Sequence, residues 1–135
     1  MASDDDSRDN VRFADRVSPA STETLRHELD RPATVEFINV RIYPGAELDL
    51  ELVPFGENRE GSNRWPLVTL EGKSHIDGDS DRFEFDVSEP IADGEYIGVE
   101  ATNQDGANAY DYAVDVTLEY AGGLRRLVSA AGRVI

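Results

Sequence analysis

The acidic segment HIDGDSDRFE has the residue types that bind a hard cation, because several carboxylates fall within one short turn. These are Asp77, Asp79, Asp81 and Glu84. Ca²⁺ prefers several such oxygens in one place. The segment departs from the EF-hand loop, since Gly78 is at the second position instead of the sixth and Ser88 stands in place of the bidentate glutamate. The pattern leaves two interpretations open, a site for calcium or another cation and an acidic hairpin turn.

The loop FGENREGSNRW, residues 55–65, is the longest polar insertion and carries amides and both signs of charge. A sugar ring stacks on a flat aromatic face while amides and guanidinium groups bind its hydroxyls. The residues that could act in this way are Trp65, Asn58, Asn63 and Arg64. Trp65 could instead open a strand and cap the core. The mixed charge of the loop also suits contact with a neighbouring protein.

Catalytic patterns are missing from the sequence. The chain has no cysteine, which excludes thiol catalysis, disulfides and cysteine-bound metals. It has no G-x-S-x-G or S-x-x-K motif. The two histidines, His27 and His75, are far apart, so a two-histidine metal site would need both to converge. We therefore predict a non-enzymatic protein. We predict no cofactor other than the candidate cation of the acidic turn.

The charge balance is strongly acidic, with 28 acidic and 13 basic side chains and a net charge of −15. Lys73 is the only lysine, and the other basic residues are arginines. Such surfaces hold water and cations in molar salt, where screening removes the self-repulsion of the chain. The composition predicts a halophilic protein that does not bind nucleic acid. No apolar run is long enough for a membrane span, and MASDDDSRDN lacks the apolar segment of a secretory signal.

The two ends of the chain carry opposite charge. The N-terminal segment contains Asp4, Asp5 and Asp6. The C-terminal segment GGLRRLVSAAGRVI contains no acid, and its candidate contact residues are Arg125, Arg126, Leu127, Arg133 and Ile135. Arginine forks could pair with carboxylates of the next subunit, and the apolar residues make the segment unlike a solvated end. We predict subunit contacts through both segments; the alternative is two frayed ends.

Alternation of apolar and polar residues dominates the chain and predicts β-strands. The strongest run, AYDYAVDVTLEYAG, places one face together: Tyr110, Tyr112, Val114, Val116, Leu118 and Tyr120. Shorter runs predict strands at ELDLELV, RFEFDV, GEYIGVEATN and, after Pro66, in WPLVTLEG. TVEFINVRIYPG changes phase after Phe37, which indicates a bulge. VRFADRV and TLRHEL are weaker strands, and TETLRHEL could instead be a helical turn.

Segments rich in Gly, Pro, Asn and Asp separate these runs, and helical periodicity is confined to a short candidate helix at 123–131. The pattern predicts an all-β chain with a single antiparallel β-sandwich of about six to eight strands, jelly-roll or immunoglobulin-like. The predicted boundaries are an acidic N-terminal arm at 1–21, a sandwich at 22–121 and a basic, partly apolar C-terminal tail at 122–135.

The segments NVRIYPGAELDLELV and GEYIGVEATNQDGANAYDYAVDVTLEY resemble the strand–turn–strand organisation of small β-sandwich virion proteins of haloarchaeal viruses. That group includes jelly-roll capsid proteins and the decoration or turret proteins of tailed capsids. The likeness covers about residues 33–121. It implies a virion component that assembles in the cytoplasm of a halophilic host with copies of itself and other structural proteins.

Together these features predict a non-enzymatic structural protein that assembles through its terminal arms into a homo-oligomer or virion shell at high salt. The alternative is a carbohydrate- or calcium-binding β-sandwich module of a halophile. That module would use Trp65 and its loop, or the turn at 77–84.

Overall fold

The computed structural model describes residues 7–121, and eight strands supply its regular structure. The strands are β1 (Arg8–Val17), β2 (Ser21–Glu28), β3 (Ala33–Ile42), β4 (Leu50–Glu57), β5 (Arg64–Pro66), β6 (Asp81–Ile91), β7 (Tyr96–Asn103) and β8 (Tyr110–Tyr120). Within this part of the chain, no helix has the length and apolarity to cross a membrane. The prediction of an all-β chain is confirmed.

The strands form two four-stranded antiparallel sheets. The first sheet has the order β1-β8-β3-β6 and the second the order β2-β7-β4-β5. Apart from the β4–β5 hairpin, each strand lies in the opposite sheet from the strand before it. This is the order of a jelly roll, whereas an immunoglobulin domain pairs its first two strands in one sheet. The predicted sandwich is confirmed, and its topology is the jelly roll.

The core lies between the sheets and is formed by alternate residues of each strand. On β8 the predicted inward face is confirmed, since Tyr112, Val114, Val116 and Leu118 are all at most 1 % exposed. Leu50 and Leu52 of β4 and Ile97 and Val99 of β7 are fully buried from the second sheet. Each such side chain contributes about 1.5–3 kcal/mol to folding.

The phase change predicted in β3 is a β-bulge. The pairing of β3 shifts register between Val35 and Phe37, against β6 on one side and β8 on the other. Ile38 and Val40 then return to the core with no exposed surface. An extra residue at this point lets one strand keep an apolar face inward along its whole length.

The weaker strand predicted at TLRHEL is confirmed, and its helical alternative is wrong, because β2 pairs along its whole length with β7. A second local prediction is also wrong. The strand after Pro66 is not formed; β5 ends at Pro66 and residues 67–80 make turns and a single bridge. The reason lies at the edge of β4, where Ile76 exchanges both backbone hydrogen bonds with Leu52 at 2.8 Å. That bridge occupies the edge that a longer β5 would need.

The sandwich begins earlier than the predicted boundary at residue 22. β1 pairs with β8 over ten residues, from Arg8 opposite Glu119 to Val17 opposite Tyr110. Ion pairs follow the outer face of this ladder, with Arg12 Nη1 2.8 Å from Asp115 Oδ2. Residues 8–21 therefore belong to the folded domain. Asp4, Asp5, Asp6 and the whole tail, 122–135, lie outside the described residues, as does the helix candidate at 123–131.

The connecting loops gather at two ends of the sandwich. The end formed by loops 29–32, 58–63 and 92–95 is called the terminal end. The end formed by loops 18–20, 43–49, 67–80 and 104–109 is called the loop end. Backbone hydrogen bonds tie each end together, for example Gly94 N to Leu29 O at 2.8 Å and Gln104 N to Asp49 O at 2.8 Å. Both ends of the described chain are at the terminal end, where the Ala121 N–H donates to Pro32 O at 3.0 Å.

Candidate functional site

A groove of about 390 Å³ crosses the outer face of the second sheet. Its floor and one side come from β4 and β7, and its other side comes from β5 and the loop 67–80. The lining residues are Glu51, Val53, Phe55, Arg64, Pro66, Ser74, His75, Glu100 and Thr102. The groove therefore combines an apolar floor with acidic, basic and hydroxyl groups.

The register of β4 against β7 determines which residues form the floor of the groove. Val53 lies opposite Glu100, and Phe55 lies opposite Gly98. A Cβ at Gly98 would lie 2.6 Å from Phe55 Cζ and would collide with the carbonyl of Leu25. The glycine therefore lets the Phe55 ring lie against the sheet, where it has no exposed surface.

A buried carboxylate fixes the basic side of the groove. Glu57 is 3 % exposed, and its Oε1 accepts from Arg26 Nε at 2.8 Å. Its Oε2 accepts from Arg64 Nε at 3.2 Å and from Arg64 Nη2 at 3.1 Å. Arg64 consequently lies with Cζ 4.1 Å from the centroid of the Phe55 ring. A guanidinium held over an aromatic face combines ion pairing with cation–π attraction.

The opposite side of the groove holds a second charged cluster. His75 Nε2 lies 3.1 Å from Asp77 Oδ2 and 3.8 Å from Glu51 Oε2. Lys73 Nζ donates to both oxygens of Asp77, at 2.8 and 3.1 Å. Burial alone would raise the pKa of Asp77, but the hydrogen bonds from Lys73 and His75 outweigh it and hold that pKa below its ordinary value. The Asp77 carboxylate is thus already paired with Lys73 and hydrogen-bonded to His75.

The four carboxylates predicted as cation ligands do not converge. Asp77 faces Lys73 and His75, whereas Asp79 Oδ1 accepts from Gly45 N at 2.7 Å. Asp81 Oδ2 accepts from Asp79 N at 2.8 Å, and Glu84 is exposed on β6. Residues 7–121 contain no group of three or more His, Asp or Glu side chains placed to hold a metal ion. The aspartates organise an acidic turn.

The predicted sugar-binding residues also separate. Trp65 and Arg64 are neighbours on β5 and so point to opposite faces of the sheet. The Trp65 ring packs on Gly56 and against the core, and its Nε1 is buried without a hydrogen-bond partner. Asn58 closes the β4–β5 hairpin, with Oδ1 accepting from the backbone of Ser62 and Asn63 at 2.9 and 3.0 Å. Of the four, Arg64 alone lines the groove.

Sequence reasoning missed Glu51 and Glu100 in the groove, and the pair Glu57 and Arg26 beside it. Glu51, Glu100 and Arg26 occupy outward positions of alternating runs, which is a signal for a solvated face, and Glu57 stands among the polar residues of 55–65. Their convergence depends on β4 lying between β7 and β5. That order is a property of the whole chain and leaves no mark in a local pattern.

A separate network fixes the loop 104–109, which joins β7 to β8 at the loop end. The Tyr110 hydroxyl, the Asn108 side chain and two backbone N–H groups donate to Asp105. The hydrogen bond from Tyr110 is the largest cause that lowers the pKa of Asp105 to about 2. The same bond raises the pKa of Tyr110 to about 12. This network stabilises the turn, and its residues are not among those that line the groove.

Comparison with known proteins gives structural likeness without sequence relatives. No protein-family model matches the chain, and no curated protein matches it. The Yersinia pseudotuberculosis-derived mitogen is similar in structure, with a TM-score of 0.51, 9 % identity and coverage of 85 % of this chain and 89 % of that one.

Two further solved structures are more distant. VP2 of infectious bursal disease virus has a TM-score of 0.48 and 10 % identity over 87 % of this chain and 34 % of its own. The chain thus spans about a third of that capsid protein. PliG of Aeromonas hydrophila, a periplasmic inhibitor of g-type lysozyme, has a TM-score of 0.40 and 12 % identity over 82 % and 86 % of the two chains. At these identities the likeness concerns the fold.

Proposed function

We propose that this chain is a non-enzymatic structural protein that assembles with copies of itself through its terminal segments. The finer proposal is a shell, decoration or vertex component of a virion, assembled in the cytoplasm of a halophilic host. The acidic composition and the resemblance of residues 33–121 to haloarchaeal virion proteins support that finer assignment.

One observation carries the proposal, namely the position of the two chain ends. β1 and β8 are neighbours, so Arg8 stands opposite Glu119 at the terminal end. The acidic N-terminal segment and the arginine-bearing tail therefore start side by side. Segments that leave a domain together are placed to contact the same neighbour.

The described core extends to the last residue of β8. Within the described residues, the buried core runs from Phe13 to Tyr120, and Tyr120 is 8 % exposed at the last position of β8. Tyr120 is further covered by Arg31, whose Cζ lies 3.9 Å from the ring centroid. The proposal assigns the apolar residues of 122–135 to contacts with a neighbouring copy.

Salt decides whether such contacts form. Copies with a net charge of −15 repel one another in dilute buffer. In molar salt the screening length falls to about 3 Å, which removes this repulsion but leaves close contacts in place. Salting-out anions also strengthen apolar association. Assembly should therefore require high salt.

Deletion of residues 122–135 tests the proposal. In molar salt, light scattering coupled to size exclusion should find the complete chain in a defined assembly and the 1–121 chain as a monomer. Circular dichroism should give both chains the same β spectrum and melting temperatures within a few degrees. A truncated chain that assembles like the complete one would contradict the proposal.

A further inference from the structure

The groove of the second sheet has the chemistry of an arginine-binding surface. The chain's own Arg64 already occupies part of it, stacked on Phe55 and paired with Glu57. Planar guanidinium groups favour such sites because they stack on aromatic rings while they pair with carboxylates. The internal contact shows which kind of side chain the groove accepts.

Two carboxylates of the groove retain capacity for further donors. Glu100 Oε2 lies 3.6 Å from Arg64 Nη1, and Glu51 Oε2 lies 3.8 Å from His75 Nε2. Both distances exceed the range of about 2.7–3.2 Å for an N–H···O hydrogen bond. The side chains are 41 % and 29 % exposed, so they are accessible at the rim. An incoming guanidinium could therefore bind each without displacing a native hydrogen bond.

Resting on the proposed function, we propose that this groove receives the C-terminal tail (122–135) of a neighbouring copy. Arg125 and Arg126 of the tail pair with Glu51 and Glu100. The two arginines are adjacent, and the tail holds three arginines and no acid. Charge complementarity therefore selects this segment in a chain that is otherwise strongly acidic.

The apolar part of the groove suits the neighbours of those arginines. Val53 is half-buried opposite Glu100 and two residues from Glu51 along β4, and Pro66 is exposed on β5. In the tail, Leu124 and Leu127 flank the arginine pair. Contact between these residues would remove apolar surface from water on both copies, which adds an attraction that salt does not screen.

The geometry favours a neighbouring copy over the same chain. Ala121 leaves from the terminal end of the first sheet, while Glu51 and Thr102 open the groove toward the loop end of the second sheet. The fourteen residues beyond Ala121 span at most about 50 Å when extended, so the chain's own tail would have to run around the sandwich. A second copy with its terminal end beside the groove places the tail there directly.

Charge reversal in the complete chain tests this contact in molar salt. The groove variant carries Glu51→Arg and Glu100→Arg, and the tail variant carries Arg125→Glu and Arg126→Glu. A combined variant carries all four changes. The matched control reverses Glu84 and Asp86, two exposed carboxylates of β6 on the first sheet. Circular dichroism checks the fold of each, and Glu51→Gln with Glu100→Gln gives a milder groove variant.

Light scattering should show a loss of association of about tenfold or more for the groove and tail variants, and assembly as in the wild type for the control. The combined variant should recover assembly. A mixture of groove and tail variants should associate although neither does alone, because each supplies what the other lacks. A folded groove variant that assembles normally, or a combined variant that stays monomeric, would overturn the inference.

The outcomes separate the inference from the proposed function. If removal of 122–135 abolishes assembly but both groove variants assemble, the tail binds elsewhere and only the groove assignment fails. If the truncated chain assembles, the proposed function itself fails. A mixture that stays monomeric while the combined variant shows restored pairing would assign the groove to the chain's own tail and overturn the contact between copies.

Discussion

Replacing Glu57 by glutamine tests the pairing that positions Arg64 in the groove. Glutamine keeps the size of the side chain but removes the charge that Arg26 and Arg64 share. Three hydrogen bonds of 2.8–3.2 Å to a 4 % exposed carboxylate lose their charge assistance. Hydrogen bonds to charged groups are worth about 1.5–3 kcal/mol each. The two guanidinium groups are 48 % and 31 % exposed and can regain water, which offsets part of the loss.

We expect Glu57→Gln to lower the free energy of unfolding by about 2–3 kcal/mol, or the melting temperature by about 10 °C. Urea unfolding in molar salt, followed by circular dichroism, measures the change. Glu84→Gln is the control, because the same change at an exposed carboxylate should alter stability by about 0.5 kcal/mol or less. A Glu57 variant as stable as the control would refute the account of the groove.

The remaining predictions concern the hydrogen-bond network of the loop between β7 and β8 and the core. In the folded state the pKa of Asp105 is lowered from 3.8 to about 2. Its contribution to the stability of the fold is therefore present above pH 4 and is lost as the pH falls toward 2. In the folded state the pKa of Tyr110 is raised from 10.0 to about 12. Its contribution to the stability of the fold is therefore present below pH 10 and is lost as the pH rises through 12. The melting temperature of Tyr110→Phe should therefore change less with pH than that of the wild type in both pH ranges. If the melting temperatures of the two proteins change equally with pH, the result would argue against the network. Tyr112→Phe should leave the free energy of unfolding unchanged or raise it by up to about 1 kcal/mol, because the Tyr112 hydroxyl is buried without a hydrogen-bond partner. A clear loss of stability in urea unfolding would count against that placement of the hydroxyl.

The strands that the sequence predicts best are those buried on one full face. In β8, alternation and burial coincide along the strand, and the fold follows the pattern. The bulge in β3 is equally visible, because the apolar phase must change where an extra residue enters. These features are local, since each depends on residues a few positions apart.

Two edge strands, β1 and β5, are less visible to this reasoning. β1 contributes Phe13 and Val17 to the core but is otherwise mostly exposed, so its charges look like those of a terminal arm. β5 is short because Ile76 fills the edge of β4, which depends on a loop ten residues farther along the chain.

The candidate site is less predictable still. Arg64 was identified among polar loop residues, but its partners Glu57 and Glu100 come from two other strands. Trp65 follows the interpretation in which it opens a strand and caps the core, because alternation on β5 turns it toward the core when Arg64 faces out. The order of the strands in the sheet brings charged residues that are distant in sequence together around the groove.

Self-assembly in high salt is the central claim, and light scattering of the complete chain tests it most directly. The chain should be measured by size exclusion with light scattering in molar salt and again in dilute buffer at the same protein concentration. The account predicts a defined oligomer or larger particle in molar salt that dissociates in dilute buffer, where copies with a charge of −15 repel one another. A well-folded monomer in both buffers would contradict it.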